Sequence, residues 1–213
     1  MLIDLHTHTF PQSDDSLLSL ESLIAEAKRA GLDGLCLTEH DRFWDAYHLA
    51  ELSRKFGFLL LPGCEITTEE GHLLVFGIDS YIFGMHHPKI LKAMIETAKG
   101  VAIAAHPYRR RFKSFDSKDS NDYLQEVNQA LSSPLFSLVH GIEILNGRAS
   151  NSENSFAQEL SLRLNLKGTG SSDAHDTKEI GRYATEFPDQ IDTLEELIEA
   201  ISKGRFQAVS LRE

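Results

Sequence analysis

Histidines and carboxylates are concentrated in three short segments that lie far apart in this chain, and this arrangement constrains the fold more than any other feature. The segments are Asp4-Leu5-His6-Thr7-His8, Leu37-Thr38-Glu39-His40-Asp41 and Ser172-Asp173-Ala174-His175. Imidazole and carboxylate groups are the usual ligands of catalytic divalent metals. Side chains two residues apart on a strand point to the same side, so His6 with His8, and Asp173 with His175, can each hold one ion. A lone histidine is more often a core residue, but the repetition favours a metal site.

Short apolar segments alternate with amphipathic segments along the chain. Strands are predicted at 2–6, 34–39, 58–64, 72–78, 101–105, 138–145, 166–171 and 206–211. Helical periodicity covers 19–30, 44–56, 87–99, 120–132, 152–165 and 193–203, and the segment 110–122 is predicted to be a mobile loop. Continuous apolar runs suit strands that are buried on both faces. Their alternation with helices predicts a parallel sheet with crossover helices.

The polar motifs lie at the C-terminal ends of the predicted strands. In an open doubly wound sheet the crevice is confined to one switch point, so residues from many strand ends would not converge there. A closed barrel brings all of its strand ends to one mouth. Because 213 residues are few for eight full units, the chain is predicted to be an α/β protein, a compact and distorted TIM-like barrel of about seven strands. The metal site would lie at the C-terminal ends of the strands.

Length and charge set further limits. A chain of 213 residues with 41% hydrophobic content predicts one domain that spans 1–213. The formal net charge of −11 argues against extended nucleic acid as a partner. No basic leader or membrane-length apolar segment is found, so a cytoplasmic protein without a membrane partner is expected. Cys36 and Cys64 are predicted to be buried free thiols.

Five motifs in order along nearly the whole chain resemble the PHP (polymerase and histidinol phosphatase) family. Besides the three segments above, they are Gly63-Cys64-Glu65-Ile66 and Ala105-His106-Pro107. The resemblance implies a (β/α)7 barrel, up to three divalent metal ions at its mouth, and metal-dependent hydrolysis of phosphoesters. The ligand types do not distinguish zinc, manganese and iron.

The resemblance also implies a set of ligands. One metal would take His6, His8, Glu65 and Asp173, a second would share Glu65 and add His72 and His106, and a third would take Asp14, His40 and His175. Asp15 is the alternative to Asp14 if the chain carries one extra residue in this turn, although a helix-cap role would also suit it. His72 opens a predicted strand, where a partly exposed polar residue is the other interpretation.

This ligand set predicts hydrolysis by a metal-bridging hydroxide, with Asp173 and His175 among the catalytic residues. Arg109 is expected to bind phosphate oxygens through its planar guanidinium, with a surface salt bridge as the alternative. The adjacent Arg110, Arg111 and Lys113 are predicted to lie in a solvated loop. Asn146 and Arg148 are candidates for the rim of the site, although an Asn-Gly turn would explain the same segment.

The expected substrate is a small anionic phosphorylated metabolite or a nucleotide, cleaved by a phosphatase or phosphodiesterase. Histidinol-phosphate phosphatase and protein-tyrosine phosphatase are alternatives within the same chemistry. A non-catalytic PHP module that supports a polymerase or another partner is an alternative of a different class. The sequence does not separate these substrates, and it sets no oligomeric state.

Overall fold

The computed structural model describes residues 1–110 and 120–212. Arg111, Lys113 and most of the predicted loop at 110–122 lie outside this range. The described strands are β1 (Leu2–Thr7), β2 (Gly34–Leu37), β3 (Leu59–Pro62), β4 (Cys64–Thr68), β5 (Gly71–Phe76), β6 (Val101–Ala104), β7 (Gly141–Asn146), β8 (Lys167–Ser171), β9 (Tyr183–Glu186) and β10 (Gln207–Ser210). The helices are α1 (Leu20–Arg29), α2 (Ala46–Phe56), α3 (Pro88–Ala98), α4 (Asn121–Leu131), α5 (Asn151–Leu164) and α6 (Leu194–Ser202).

All six predicted helices are present, and their ends lie within two residues of the predicted ones. Five of them follow a Ser, Thr or Asp whose side chain accepts a hydrogen bond from a backbone N–H of the first turn. Such a cap satisfies one of the N–H groups that the helix leaves unpaired. The sixth, α3, begins with Pro88, which has no N–H to satisfy. Local capping chemistry therefore explains why these boundaries were predictable.

The strands form two five-stranded mixed sheets. The first has the order β10-β9-β1-β2-β3, in which β1, β2 and β3 are parallel and β9 and β10 are antiparallel to their neighbours. The second has the order β4-β5-β6-β7-β8, in which β4, β5 and β6 are antiparallel and β6, β7 and β8 are parallel. The all-parallel sheet predicted from the alternating pattern is therefore wrong for β4, β5, β9 and β10.

The chain crosses from the first sheet to the second at Gly63, the single residue between β3 and β4. Its N–H donates to the Leu37 carbonyl, which continues the pairing of β3 with β2. A Cβ at Gly63 would lie within 3.0 Å of side-chain atoms of Phe76 and Thr38, so no larger residue fits there without movement. The sequence predicted one strand over 58–64 because the apolar run continues through this bend.

A second junction joins the two sheets between β8 and β9. The Thr185 hydroxyl donates to the Gly170 carbonyl at 2.9 Å and accepts from the Gly170 N–H at 3.1 Å. A Cβ at Gly170 would lie 2.6 Å from the Ala184 carbonyl oxygen, so this close approach of the two strands needs glycine. The prediction missed β9 because Tyr183–Glu186 is a short segment without a long apolar run.

The two sheets enclose a shared core. Leu5 and Cys36 of the first sheet pack in one buried cluster with Leu74 and Ile103 of the second, and Leu197 of α6 joins them. Helices α1 and α2 cover the outside of the first sheet, and α3, α4 and α5 cover the second. The hydrogen-bonding pattern is nevertheless that of two sheets, so the predicted closed barrel of about seven strands is not confirmed over the described residues.

Two further expectations concern the cysteines and the membrane. Cys36 and Cys64 are both buried free thiols, as predicted. Burial raises the pKa of each thiol above its usual value. Among the described helices, none combines the length and apolar character needed to cross a membrane.

Candidate metal centre

Backbone pairing places the first and last motifs side by side. Thr7 forms an isolated parallel bridge with Ala174, the His8 N–H donates to the Ala174 carbonyl, and the Asp173 N–H donates to the His6 carbonyl. This bridge extends β1 beside the segment that follows β8. Because side chains alternate along each segment, His6 and His8 share one side with Asp173 and His175. The parallel bridge therefore brings together the two pairs that the sequence predicted to share a side, His6 with His8 and Asp173 with His175.

Two similar backbone contacts position the middle motifs. His40 and Glu65 form an isolated parallel bridge, in which the Asp41 N–H donates to the Glu65 carbonyl and the Glu65 N–H donates to the Glu39 carbonyl. The Ala105 N–H donates to the His72 carbonyl, so His106 follows directly beside the start of β5. Each motif thus lies where one strand end meets the next.

Glu65 is the centre of the resulting cluster and is fully buried. Its Oε2 lies 3.2 Å from both His6 Nε2 and His8 Nε2 and 3.0 Å from His40 Nδ1. Its Oε1 lies 2.7 Å from His72 Nδ1 and 2.9 Å from His106 Nε2. One carboxylate therefore contacts five imidazoles. An anion with this many neighbours on both oxygens is suited to bridge two cations.

Asp173 is a second buried carboxylate in the cluster. Its Oδ1 lies 3.6 Å from His6 Nε2 and 3.5 Å from His8 Nε2, and its Oδ2 lies 3.8 Å from His106 Nε2. Asp173 has a backbone φ of 54°, a left-handed conformation that Asp tolerates better than most residues. The turn aims its carboxylate toward the rings of β1.

The third group of side chains in the cluster brings Asp15, rather than Asp14, beside His40 and His175. Asp15 Oδ2 lies 3.2 Å from His175 Nε2 and 3.5 Å from His40 Nε2. The Asp14 side chain is 86% exposed and lies 3.7 Å from Arg42, away from these rings. The geometry therefore favours the alternative, Asp15, over Asp14 for this group. The extra residue in this turn shifts the carboxylate that reaches the cluster by one position.

The buried charges depend on one another. Burial disfavours the charged imidazole of His6, but the carboxylates of Asp173 and Glu65 outweigh it and hold the pKa of His6 well above its usual value. Burial likewise disfavours the Glu65 carboxylate, yet His6 and the neighbouring imidazoles hold its pKa well below the usual value. Burial also disfavours the Asp173 carboxylate, but the neighbouring cationic groups, His6 foremost, hold the pKa of Asp173 well below its usual value. Without another cation, a proton on His6 helps to balance these carboxylates.

The cluster fits a group of metal ions because its inner atoms lack other partners. Nine buried side-chain atoms in the described part of the chain make no hydrogen bond, and five of them belong to the cluster: His6 Nε2, His8 Nε2, His175 Nε2, Glu65 Oε2 and Asp173 Oδ1. Leaving one buried polar atom unsatisfied costs about 1–3 kcal/mol. Four overlapping groups of three residues can each offer one nitrogen or oxygen atom per residue, and within each group these atoms lie within 4.8 Å of one another. The residues in these groups are His6, His8, His40, Glu65, His72, His106, Asp173 and His175. Nitrogen and carboxylate donors at this spacing suit divalent metals.

A buried layer lies behind the cluster, and of its residues only Asn146 was a candidate, for the rim of the site; Asn146 is buried. The Glu143 carboxylate lies 3.1 Å from His6 Nδ1 and accepts hydrogen bonds from the His106 N–H and the Asn146 amide. The Asn146 amide also donates to Asp173 Oδ2 at 3.1 Å. Glu143 lies within the apolar strand β7, and a carboxylate at such a position in the sequence was itself a signal, because carboxylates are rarely buried unless they are paired.

His8 has a comparable support on the other side. Its Nδ1 lies 3.2 Å from the Ser13 hydroxyl, and that hydroxyl donates to Glu39 Oε2 at 2.6 Å. Glu39 also accepts from the Thr9 N–H and from the Trp44 indole. Glu39 therefore orders the loop after β1 and does not join the cluster.

The predicted phosphate-binding arginine lies at the edge of the cluster. Arg109 Nη1 donates to Asp173 Oδ2 and lies 3.4 Å from Asn146 Oδ1. Arg110 is exposed, and its backbone N–H donates to Glu153. Arg148 is 3.6 Å from Glu179, so its guanidinium is directed to a neighbouring turn. Of the basic candidates in the described residues, Arg109 is the one that contacts the cluster directly.

Sequence comparisons relate parts of this chain to known proteins. A family sequence model described as PHP-associated matches residues 151–206. The uncharacterized protein MJ1587 of Methanocaldococcus jannaschii is 26% identical over 159 residues, which cover 68% of this chain and 82% of that protein.

Two solved structures share the fold. PsfC from Pseudomonas syringae has a TM-score of 0.68 at 21% identity and covers 98% of this chain and 91% of its own. A two-domain protein from Bacteroides vulgatus, described as containing a predicted PHP-like metal-dependent phosphoesterase, has a TM-score of 0.68 at 22% identity and covers 99% of this chain and 64% of its own.

Proposed function

We propose that this chain is a member of the PHP family and that it hydrolyses phosphoesters of small molecules with divalent metal ions held by its histidine and carboxylate cluster. The observation that carries the proposal is the convergence on one point of buried ring nitrogens and carboxylate oxygens that face one another without a hydrogen bond. A protein core does not leave such atoms unpaired without compensation. Divalent cations are the compensation that suits this donor set.

The contacts support a partition of the ligands among three metals. His6, His8, Glu65 and Asp173 would hold the first, and Glu65, His72 and His106 would hold the second. Asp15, His40 and His175 would hold the third, with Asp15 replacing the predicted Asp14. Glu65 is the bridging ligand in this proposal because its two oxygens contact different histidines.

The protein side of the chemistry follows from the same residues. When bound, such metals lower the pKa of a coordinated water and neutralise the charge that develops on phosphoryl oxygens. Glu143 accepts from His6 Nδ1–H and thereby directs the Nε2 lone pair into the cluster. Arg109 would turn from Asp173 to the non-bridging oxygens of a bound phosphate, where its planar fork matches the anion.

The substrate class proposed here is a small phosphorylated metabolite or a nucleotide. The cytoplasmic location and the closed (β/α)7 barrel remain predictions from the sequence.

Metal analysis of the purified protein, followed by assays of phosphoesters with zinc, manganese and iron added back, tests the proposal. Glu65→Gln should lower both metal content and hydrolysis, because the amide supplies one oxygen where the carboxylate supplies two. Glu69→Gln is the matched control, since Glu69 is exposed and pairs with His87 outside the cluster. Full metal content with unchanged turnover in Glu65→Gln would refute the bridging role.

His175→Ala separates the third site from the other two. It removes a ring that contacts Asp15 and is not among the neighbours of Glu65. We expect it to lower the metal content by about one ion and to leave the first two sites loaded. A protein that binds metal normally yet hydrolyses none of the phosphoesters would instead be the non-catalytic module.

A further inference from the structure

The strongest unassigned feature is a cleft of about 540 Å³ that opens directly beside the proposed second metal site. His72 and His106, which both contact Glu65 Oε1, are among the residues that line this cleft. The outer walls are the turn between β4 and β5, the turn that follows β6, and the segment after α4. The volume lies in the range of small-molecule sites and exceeds what one phosphate group fills.

The charges of the walls limit what the cleft can bind. The lining includes Arg109, Arg110 and Glu70. A cationic group would be repelled by two guanidinium groups, and a second anionic group near Glu70 would meet a carboxylate. An apolar group would remove water from all three charged side chains and would offer no hydrogen bonds in place of those lost with the water. The group that fits is polar and uncharged.

The polar atoms near Glu70 favour hydroxyl groups as ligands. The Ser133 hydroxyl lies 3.5 Å from Glu70 Oε2, so a carboxylate acceptor and a hydroxyl are side by side on the same wall. A carboxylate with two oxygens can accept from two adjacent hydroxyls at once. Ser132 and Gln129 add further polar groups nearby, and Pro134 and the Tyr108 ring supply surface for the carbon skeleton.

We propose that this cleft binds the alcohol portion of the substrate and that this alcohol carries a vicinal diol, as in a sugar or a ribose, with Glu70 accepting from both hydroxyls. The inference rests on the proposed function, since it places the ester bond at the metal cluster. It adds a substrate class, because a phosphate on an alkyl, aryl or deoxygenated alcohol would leave Glu70 without these hydrogen bonds. A sugar phosphate and a nucleotide offer the same diol.

The test compares ribose 5-phosphate with 2-deoxyribose 5-phosphate, and AMP with dAMP, in the metal-loaded protein. Each pair differs by the one hydroxyl that completes the diol. We expect kcat/KM to be at least about tenfold higher for the ribose member, in line with about 1.5–3 kcal/mol for hydrogen bonds to a charged group. A preference in the sugar pair alone would identify a sugar phosphate, and a larger preference with the nucleotides would identify those.

Glu70→Gln should reduce the ribose preference to threefold or less, whereas Glu69→Gln, one residue away and outside the cleft, should retain it. Equal rates for ribose and deoxyribose substrates, or an unchanged preference in Glu70→Gln, would overturn the assignment. Circular dichroism and metal content establish that each variant is folded and loaded.

A binding measurement separates this inference from the proposed function. Saturation-transfer NMR of free ribose and free 2-deoxyribose needs no turnover, and the signal should be stronger for ribose and lost in Glu70→Gln. Ribose binding without hydrolysis of any phosphoester would refute the proposed function alone. Hydrolysis of p-nitrophenyl phosphate without a ribose preference, together with equal NMR signals, would refute the cleft assignment alone.

Discussion

His6 shows how single residues are positioned for metal binding in this protein. One ring nitrogen faces Glu143 at 3.1 Å, and the other faces Glu65 and Asp173. A carboxylate behind a ligand histidine fixes its tautomer and makes the metal-facing nitrogen more basic. The raised pKa of His6 means that a metal must displace a proton from this ring. Glu143 is therefore as much a part of the centre as the ligands.

Glu143→Gln should weaken metal binding by roughly 10- to 100-fold, the range for loss of a partner behind a ligand. One Glu143 oxygen faces His6 Nδ1, and the other accepts from the His106 backbone N–H and the Asn146 amide. The side-chain NH₂ of glutamine would replace one of these oxygens and face its donors without accepting from them. Competition with a metal-binding dye measures the affinity. Glu21→Gln, an exposed change in the first turn of α1, is the control. An affinity equal to that of the control would show that Glu143 only supports the fold.

Arg109→Ala should leave metal content intact and lower kcat/KM. The fall should correspond to a loss of roughly 1.5–3 kcal/mol in transition-state stabilisation, the range for hydrogen bonds to charged groups. Arg109→Lys should recover only part of the loss, because an ammonium restores the charge without the planar fork. Arg163→Ala, which breaks an exposed pair with Glu159 on α5, is the control. Reduced metal content in Arg109→Ala would instead assign the residue to holding Asp173.

The sequence predicted ligand types well at this scale and their exact positions less well. The two-residue spacing placed His6 with His8, and Asp173 with His175, on one side of a strand, whereas His40 and His106 were placed only at the ends of predicted strands. Asp14 and Asp15 are neighbours in a turn without periodicity, so only the backbone path decides which carboxylate reaches His175. Glu143 was missed because its role depends on contacts across 137 residues of sequence.

At the scale of elements, helices were easier to predict than strands. Each helix has local caps and a 3.6-residue apolar period, and both can be read within one segment. Strands β4 and β9 depend on partners elsewhere in the chain, such as the contact of Thr185 with Gly170. The turn before β7 is another case, because the predicted strand over 138–145 begins only at Gly141. His140 in this turn accepts a hydrogen bond from the Ala102 N–H of β6.

The link between His140 and β6 should make stability depend on pH. Burial lowers the pKa of His140 in the folded protein, and a protonated Nδ1 could no longer accept from Ala102. As pH falls below about 6.5, His140 binds a proton in the unfolded chain but stays neutral in the folded protein. The free energy of unfolding therefore decreases. Once pH falls below the folded pKa, this contribution changes no further.

His140→Asn keeps an acceptor near the Nδ1 position and removes the titration. Urea unfolding of the metal-free proteins between pH 7.5 and 5 should show the wild type losing stability relative to this variant as pH falls. His48→Asn, an exposed change on α2, should run parallel to the wild type. A wild type that runs parallel to His140→Asn would mean that the ring titrates alike in both states.

At the scale of the whole molecule, the centre lies where the two sheets meet. His6 and His8 belong to β1 and its extension in the first sheet, whereas Glu65 and His72 belong to β4 and β5 in the second. The isolated bridges at Thr7–Ala174 and His40–Glu65 are few and short. Bound metals would therefore link the two sheets through side chains as well as through these bridges.

Removing the metals should consequently destabilise the whole domain rather than one loop. A ligand present at 100 times its dissociation constant stabilises the folded state by about 2.7 kcal/mol, and chelation removes that contribution. We expect a lower thermal midpoint after chelation, recovery on adding metal back, and faster hydrogen exchange at β1 and at β5 together. Glu65→Gln should show a much smaller shift, because its amide no longer bridges the sites. If chelation strips the metal and exchange rises only near Asp15 and His175, then the metals stabilise the third group alone and do not join the sheets.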